Sequence, residues 1–253
     1  MRAPTATPIR HVEQCMGTVF SFDIRGSGIA WDDLRAVLDW LHETDARFST
    51  YRSGSEINRL ADGRLDLTEV HPDVAYVLSE CAELQVETGG YFSACADGRL
   101  DPSGYVKGWA VNEASRMLAA AGSTAHCVNG GGDISCHGRP SVGRGWQVGI
   151  ADPVHPGVIV RTVVGAGPLG IATSGTSQRG AHIIDPHTGT RQEALASVTV
   201  VTDDVVRADV LATAAVAMGE DGIVWLAGLT DVRSIVVRGD GSVSAAWRGQ
   251  EPT

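Results

Sequence analysis

The chain has 253 residues, 43% hydrophobic and 20% charged, enough apolar material for one large core. Acids outnumber bases 30 to 20, and the formal net charge of −10 sets the bulk surface against nucleic acid and anionic membranes, so neither is expected as a partner. Five cysteines, Cys15, Cys81, Cys95, Cys127 and Cys136, are odd in number and show no C-x-x-C spacing, which predicts separate thiols in a reducing compartment and neither a disulfide framework nor a zinc site.

The N-terminal stretch MRAPTATPIRHVEQCMGTVF has no apolar signal-peptide core, and no later apolar run is long enough to span a bilayer. A cytoplasmic protein without membrane insertion is therefore expected. In TVFSFDI, residues 18–24, Phe20, Phe22 and Ile24 share one face, the pattern of a half-buried strand. Trp31, Leu34, Val37, Leu38 and Leu41 follow at helical spacing, with Asp32 and Asp33 where the helix dipole favours acids. Ser53, with Glu56 three residues on, predicts a capping box and a short helix. A longer helix is predicted over 72–86, with Pro72 in its first turn and Gly89-Gly90 beyond its end. Another runs from near Gly104 to Gly122. Strands are predicted at 146–150, 158–164, 169–172, 196–201, 233–237 and 243–247, with a hairpin turn at Asp240-Gly241 and a helix over 204–218. No repeat or low-complexity linker divides the chain. The order predicts a single α+β domain with a mixed β-sheet flanked by helices, in one lobe or two.

Four stretches carry polar chemistry. In DPSGYVKGWAVNEASRML, residues 101–118, an acid, a glycine and a lysine stand at the front of a helix. The free amides of such an N-terminus suit an anion, and Lys107 adds a point charge; the plainer reading is a helix capped by Asp101. In NGGGDI, residues 129–134, three glycines allow close backbone approach to a ligand, or simply a tight turn between strands. ATSGTSQRGAHIIDPHTG, residues 172–189, sets hydroxyl donors beside His182, a candidate general base, and an Asp185-Pro186 turn closed by Gly189. In RADVLATAAVAMG, residues 207–219, Asp209 and Thr213 lie one helical turn apart, so both can reach one hard cation such as Mg²⁺; alternatively the threonine hydroxyl bonds back to the carbonyl four residues earlier.

Taken in order, MGT at 16–18, STYRSGSEINRL at 49–60, GGYF at 89–92, DPSGYVKGWAV at 101–111, NGGGD at 129–133, ATSG at 172–175, HIIDPHTG at 182–189 and SVTVV with ADVLATA within 197–214 resemble the FAD:protein FMN transferase (ApbE-like) family. The resemblance implies one such domain over 12–247 behind a tail at 1–11. It implies Mg²⁺-dependent transfer of FMN from FAD to a Thr or Ser hydroxyl of an acceptor protein, with release of AMP. By the same resemblance Met16, Tyr51, Tyr91, Phe92, Ser93, Asp101, Lys107 and Ile183 would hold FAD, the Gly104 carbonyl with Asp209 and Thr213 would hold the metal, and His182 would be the base. The family usually carries an acid at the position of Ser93 and frequently an Asp at that of Asn112. The same site could instead serve an FAD diphosphatase giving FMN and AMP, or a non-catalytic flavin-binding protein.

Overall fold

Side-chain alternation decides which strand faces are buried. Thr18–Ile24 (β2) buries Phe20, Phe22 and Ile24 to 2% exposure or less, a burial worth roughly 2–3 kcal/mol for each such side chain. The computed structural model describes residues 7–25, 28–175 and 183–247. Ahead of β2 lies a strand that the sequence pattern did not predict, Ile9–Cys15 (β1), so residues 9–11 of the expected tail belong to the sheet. The turn joining β1 to β2 is Met16-Gly17, with φ of 53° and 66°.

Four helices follow: Trp31–Phe48 (α1), Glu56–Ala61 (α2), Pro72–Glu87 (α3) and Ser103–Ala120 (α4). The capping of α2 differs from expectation. Ser55 is its N-cap, accepting from the Asn58 amide at 3.1 Å, while the Glu56 carboxylate turns away to accept from the His71 amide at 2.6 Å. Ser53 takes no part because the helix starts two residues later than the capping-box spacing requires.

His126–Gly130 (β3) and Asp133–His137 (β4) form a hairpin around Gly131-Gly132, whose φ values of 60° and 98° are those of a type I′ turn. The plainer reading of the glycine cluster therefore holds. All five cysteines are free thiols, and Cys127 and Cys136 face each other across this hairpin. The remaining elements are Trp146–Ala151 (β5), Ile159–Gly165 (β6), Leu169–Gly175 (β7), Leu195–Thr202 (β8), Val205–Met218 (α5), Glu220–Gly228 (α6, not predicted), Arg233–Arg238 (β9) and Val243–Trp247 (β10).

The main sheet has the order β1-β2-β3-β4-β7-β8-β9-β10, and each of these pairings is antiparallel where a mixed sheet was expected. Hairpins impose this at β1–β2, β3–β4 and β9–β10. Between β8 and β9 the chain runs through two helices, α5 and α6, and re-enters the sheet antiparallel to β8. One face of the sheet packs against helices: α1 and α4 cover β2 and β3 through Leu34, Val37, Leu41, Val111 and Leu118. Further along, α5 covers β8 through Ala208, Leu211, Ala212 and Ala215. The opposite face is covered by the β5–β6 hairpin, whose Trp146, Val148, Ile150 and Val163 meet Leu169, Ile171, Val201 and Ile235. As a result β8 is buried along its whole length.

Candidate active site

The N-terminus of α4 opens at the meeting point of two clefts. One, of about 250 Å³, is lined by Tyr91, Ser93, Asp101, Gly104, Lys107, Ser174, Ile183, Asp209 and Thr213, among others. Its neighbour, of about 340 Å³, is lined by Met16, Asp45, Phe48, Tyr51, Arg52 and Val106. Asp101, Ser103 and Lys107 belong to both. Ten of the sequence-derived site residues thus meet around one helix start. Phe92 lies apart from the clefts: it is 2% exposed in the core, and its ring lies beneath Gly104. His182 falls outside the described residues.

Each position has a local cause. The N-cap of α4 is Pro102, and Asp101, one residue before it, accepts from the Ser103 amide through Oδ1 at 2.9 Å. Met16 adopts a left-handed backbone at φ 53°, a conformation costing a non-glycine residue about 1–2 kcal/mol, and this puts its side chain on the rim of the second cleft. Tyr51 is 96% exposed on that rim, a large ring with nothing of its own chain to pack on. Its loop is held from below by Asn58, whose Nδ2 donates to the carbonyls of Ser49, Thr50 and Arg52 at 3.3, 2.9 and 2.9 Å. Asn58 Oδ1 in turn accepts from Arg99 at 3.0 Å. On the opposite wall, Tyr91 stands edge-on to His187 at 4.5 Å, and His187 reaches the Gly89 carbonyl at 3.0 Å. The Asp185 carboxylate fixes that turn by accepting from the His187 amide and the Thr188 hydroxyl, both at 2.9 Å.

The centre is electrostatic. Lys107 Nζ donates to Asp133 Oδ2 and lies 3.8 Å from Asp209 Oδ2. Both carboxylates are buried, Asp133 at 0% and Asp209 at 3% exposure. Burial pushes the Asp209 carboxyl above the usual carboxylate range, and the Lys107 ammonium and the Gly108 amide oppose that rise. The Gly108 N–H donates to Asp209 at 3.2 Å. In a regular helix that donor belongs to the Gly104 carbonyl, so Asp209 competes with that carbonyl for it. The Thr213 hydroxyl faces Ser174 Oγ at 3.0 Å, across from β7.

These donors are all oxygens, the set a hard cation takes. Asp133 Oδ1 is buried without a hydrogen-bond partner, and two buried carboxylates face one ammonium, so the site carries spare negative charge. Among the described residues no group of three His, Cys, Asp or Glu is placed to hold a metal. A cation here would draw on hydroxyl, carbonyl and ligand oxygens, as Mg²⁺ does in phosphate sites. Two contributors escaped the sequence reading. In the sequence Asp133 stands only in the glycine cluster NGGGDI, and Asn58 only within the motif STYRSGSEINRL.

The fold is that of solved ApbE proteins. The Thermotoga maritima ApbE protein superposes with a TM-score of 0.84 at 18% identity, covering 95% of this chain and 97% of that one. Pseudomonas stutzeri flavinyl transferase ApbE in its apo form gives 0.79 at 21% identity, covering 97% of both chains. The family model for the ApbE family matches residues 16–98 and 93–236, and the chain belongs to that family. Among curated relatives, the FAD:protein FMN transferase of Haemophilus influenzae is 34% identical over 132 residues, which is 48% of this chain and 38% of that protein. That of Rhodobacter capsulatus is 33% identical over 156 residues, 58% of this chain and 29% of its own length. That of Vibrio cholerae is 27% identical over 267 residues, 81% of this chain and 80% of the relative. The chain thus spans well under half of the first two relatives and most of the third.

Proposed function

We propose that this protein moves FMN from FAD onto a Thr or Ser hydroxyl of an acceptor protein, with Mg²⁺ and with release of AMP. The observation that carries the reading is the pair of clefts meeting at Asp101, Ser103 and Lys107, directly above the buried Asp209. A dinucleotide has two ring systems joined by a diphosphate, and the clefts offer two pockets joined by a helix N-terminus and an ammonium. The three relatives named above as FAD:protein FMN transferases support the same reading.

In this proposal Met16 and Tyr51 pack on one ring system, Tyr91 and Ile183 line the pocket for the other, and Ser93 and Asp101 bond to polar edges. Phe92 supports Gly104 from beneath. Lys107 and the Gly104 amide in the first turn of α4 face the diphosphate, where charge builds as the phosphoryl bond breaks. Asp209, Thr213 and the Gly104 carbonyl would hold Mg²⁺, which when bound supplies further neutralisation of that charge. His182 would accept the proton of the incoming hydroxyl. The acceptor enters from the open side of the first cleft, whose hydroxyl-bearing wall is Thr173 and Ser174.

The test is to incubate the protein with FAD, Mg²⁺ and a Thr-containing acceptor peptide. The proposal expects a peptide heavier by one FMN and an equimolar amount of AMP. Free FMN and AMP with an unmodified peptide would make the protein an FAD diphosphatase. FAD binding without turnover would make it a flavin-binding protein.

A further inference from the structure

The β3–β4 hairpin carries, on the sheet face opposite Asp133, two cysteines that the chemistry above does not use. The pairing follows from the turn. Gly130 and Asp133 flank a two-residue type I′ turn and form a hydrogen-bonded pair, so the alternation outward makes Cys127 and Cys136 a non-hydrogen-bonded pair. Such pairs bring Cα atoms to about 4.5 Å, inside the span of about 4.4–6.8 Å that a disulfide bridges. The two Sγ atoms already lie 3.4 Å apart.

The two thiols differ in setting. Cys136 is 2% exposed beneath the β5–β6 hairpin, and the neighbouring Cys127 and burial push its thiol far up. Cys127 is partly exposed on the wall of an open groove shared with Arg10, Asp23 and Gln147. The Arg25 guanidinium interacts electrostatically with Cys127 while paired with Asp23, its Nε and Nη2 donating at 2.8 and 2.6 Å. A partly exposed thiol backed by a second thiol in contact is the arrangement of a reactive cysteine with its resolving partner.

We infer that Cys127 and Cys136 form a redox-active dithiol that a hydroperoxide oxidises to an intramolecular disulfide. The Cys127 thiolate attacks the distal peroxide oxygen; the O–O bond breaks and leaves Cys127 sulfenic acid with one water or alcohol. The Cys136 sulfur then attacks the sulfenic sulfur, the S–S bond forms, and hydroxide departs with the Cys136 proton as water. The two sulfurs lose two electrons in total, and the peroxide gains them.

The experiment treats reduced, folded protein with hydrogen peroxide, quenches with an alkylating agent, and maps peptides without reductant. The expected result is a Cys127–Cys136 linked peptide, a mass lower by two hydrogens, and full reversal by dithiothreitol. In Cys136→Ser, Cys127 should accumulate a dimedone adduct that the wild type does not, while Cys127→Ser should leave Cys136 alkylatable after oxidation. Recovery of both cysteines as alkylated thiols, with oxidation confined to the exposed Cys95, would overturn the inference. So would a linkage that forms only after unfolding in urea.

Discussion

Asn58 and the two buried aspartates each make a different demand on the chain. Asn58→Ala leaves the carbonyls of Ser49, Thr50 and Arg52 without their donor. A stranded acceptor costs about 1–3 kcal/mol. Because the loop borders solvent, the whole change should stay near the top of that range. We expect a lower melting temperature and a raised KM for FAD with kcat little changed, since the loop presents Tyr51 and takes no part in bond breaking; thermal melts and steady-state kinetics check both. Asp209→Asn should behave in the opposite sense. Burial already pushes the Asp209 carboxyl up, so removing its charge should keep or raise the melting temperature while turnover falls by about 10²–10³. Wild-type turnover of this variant across a Mg²⁺ titration would remove Asp209 from the metal site. Asp133→Asn lies between these. Lys107 loses the charge of the carboxylate it donates to, so it should swing toward Asp209, 3.8 Å away, and off the diphosphate, lowering kcat by about tenfold or more.

At the scale of elements, the contact between α4 and α5 depends on Gly108. A Cβ there would sit 2.9 Å from Asp209 Oδ2 and 3.0 Å from its Cβ. Alanine is favoured over glycine inside a helix by about 1 kcal/mol, which offsets much of the crowding in stability. Gly108→Ala should therefore melt close to wild type yet lose most turnover, because Asp209 is displaced without any functional group being removed; a melt and a kcat measured on one preparation decide this. Five of the six helices among the described residues and most strands were legible in the sequence because their apolar spacing is regular and their ends carry Pro, Gly or Asp-Gly. β1 was missed because neither face of its IRHVEQC is uniformly apolar, with Ile9, His11, Glu13 and Cys15 on one side and Arg10, Val12 and Gln14 on the other. α6 was missed because its EDGIVWLAG carries two glycines in nine residues. In the site, the approach of Asp209 and Thr213 to the α4 N-terminus was legible from helical spacing and resemblance together. The Lys107–Asp133 pair was not, since the partners are 26 residues apart and joined only by strand register. Nor could a string of letters say that Tyr91 faces the cleft while its neighbour Phe92 faces the core.

Across the whole molecule, stability should depend on pH through His126. It is fully buried between α4 and the sheet, its Nε2 bonded to Ser115 at 2.8 Å and its Nδ1 to Ser123 at 2.9 Å, and its ring stacked on His137 at 5.0 Å. Burial, with His137 adding to it, lowers its pKa to about 4. The unfolded chain therefore binds this proton more readily than the folded one. The contribution of neutral His126 is complete above the unfolded value near ~6.5 and is lost as pH falls toward about 4, at about 1.4 kcal/mol per pH unit. Denaturant midpoints should fall across that window, and His126→Gln should flatten the fall; an equal slope in both proteins would count against it. The shared edge between the two clefts has a consequence for how a turnover ends. A ligand gripped in both pockets behaves as a tethered pair of weak binders, each half raising the local concentration of the other. Cutting the tether beside Lys107 would dissolve that advantage at once, leaving AMP in one pocket and, in the other, an FMN that departs with the acceptor, neither reinforcing its neighbour. Supplied as free nucleotides, FMN and AMP should occupy the protein together without competing, each far more weakly than uncut FAD.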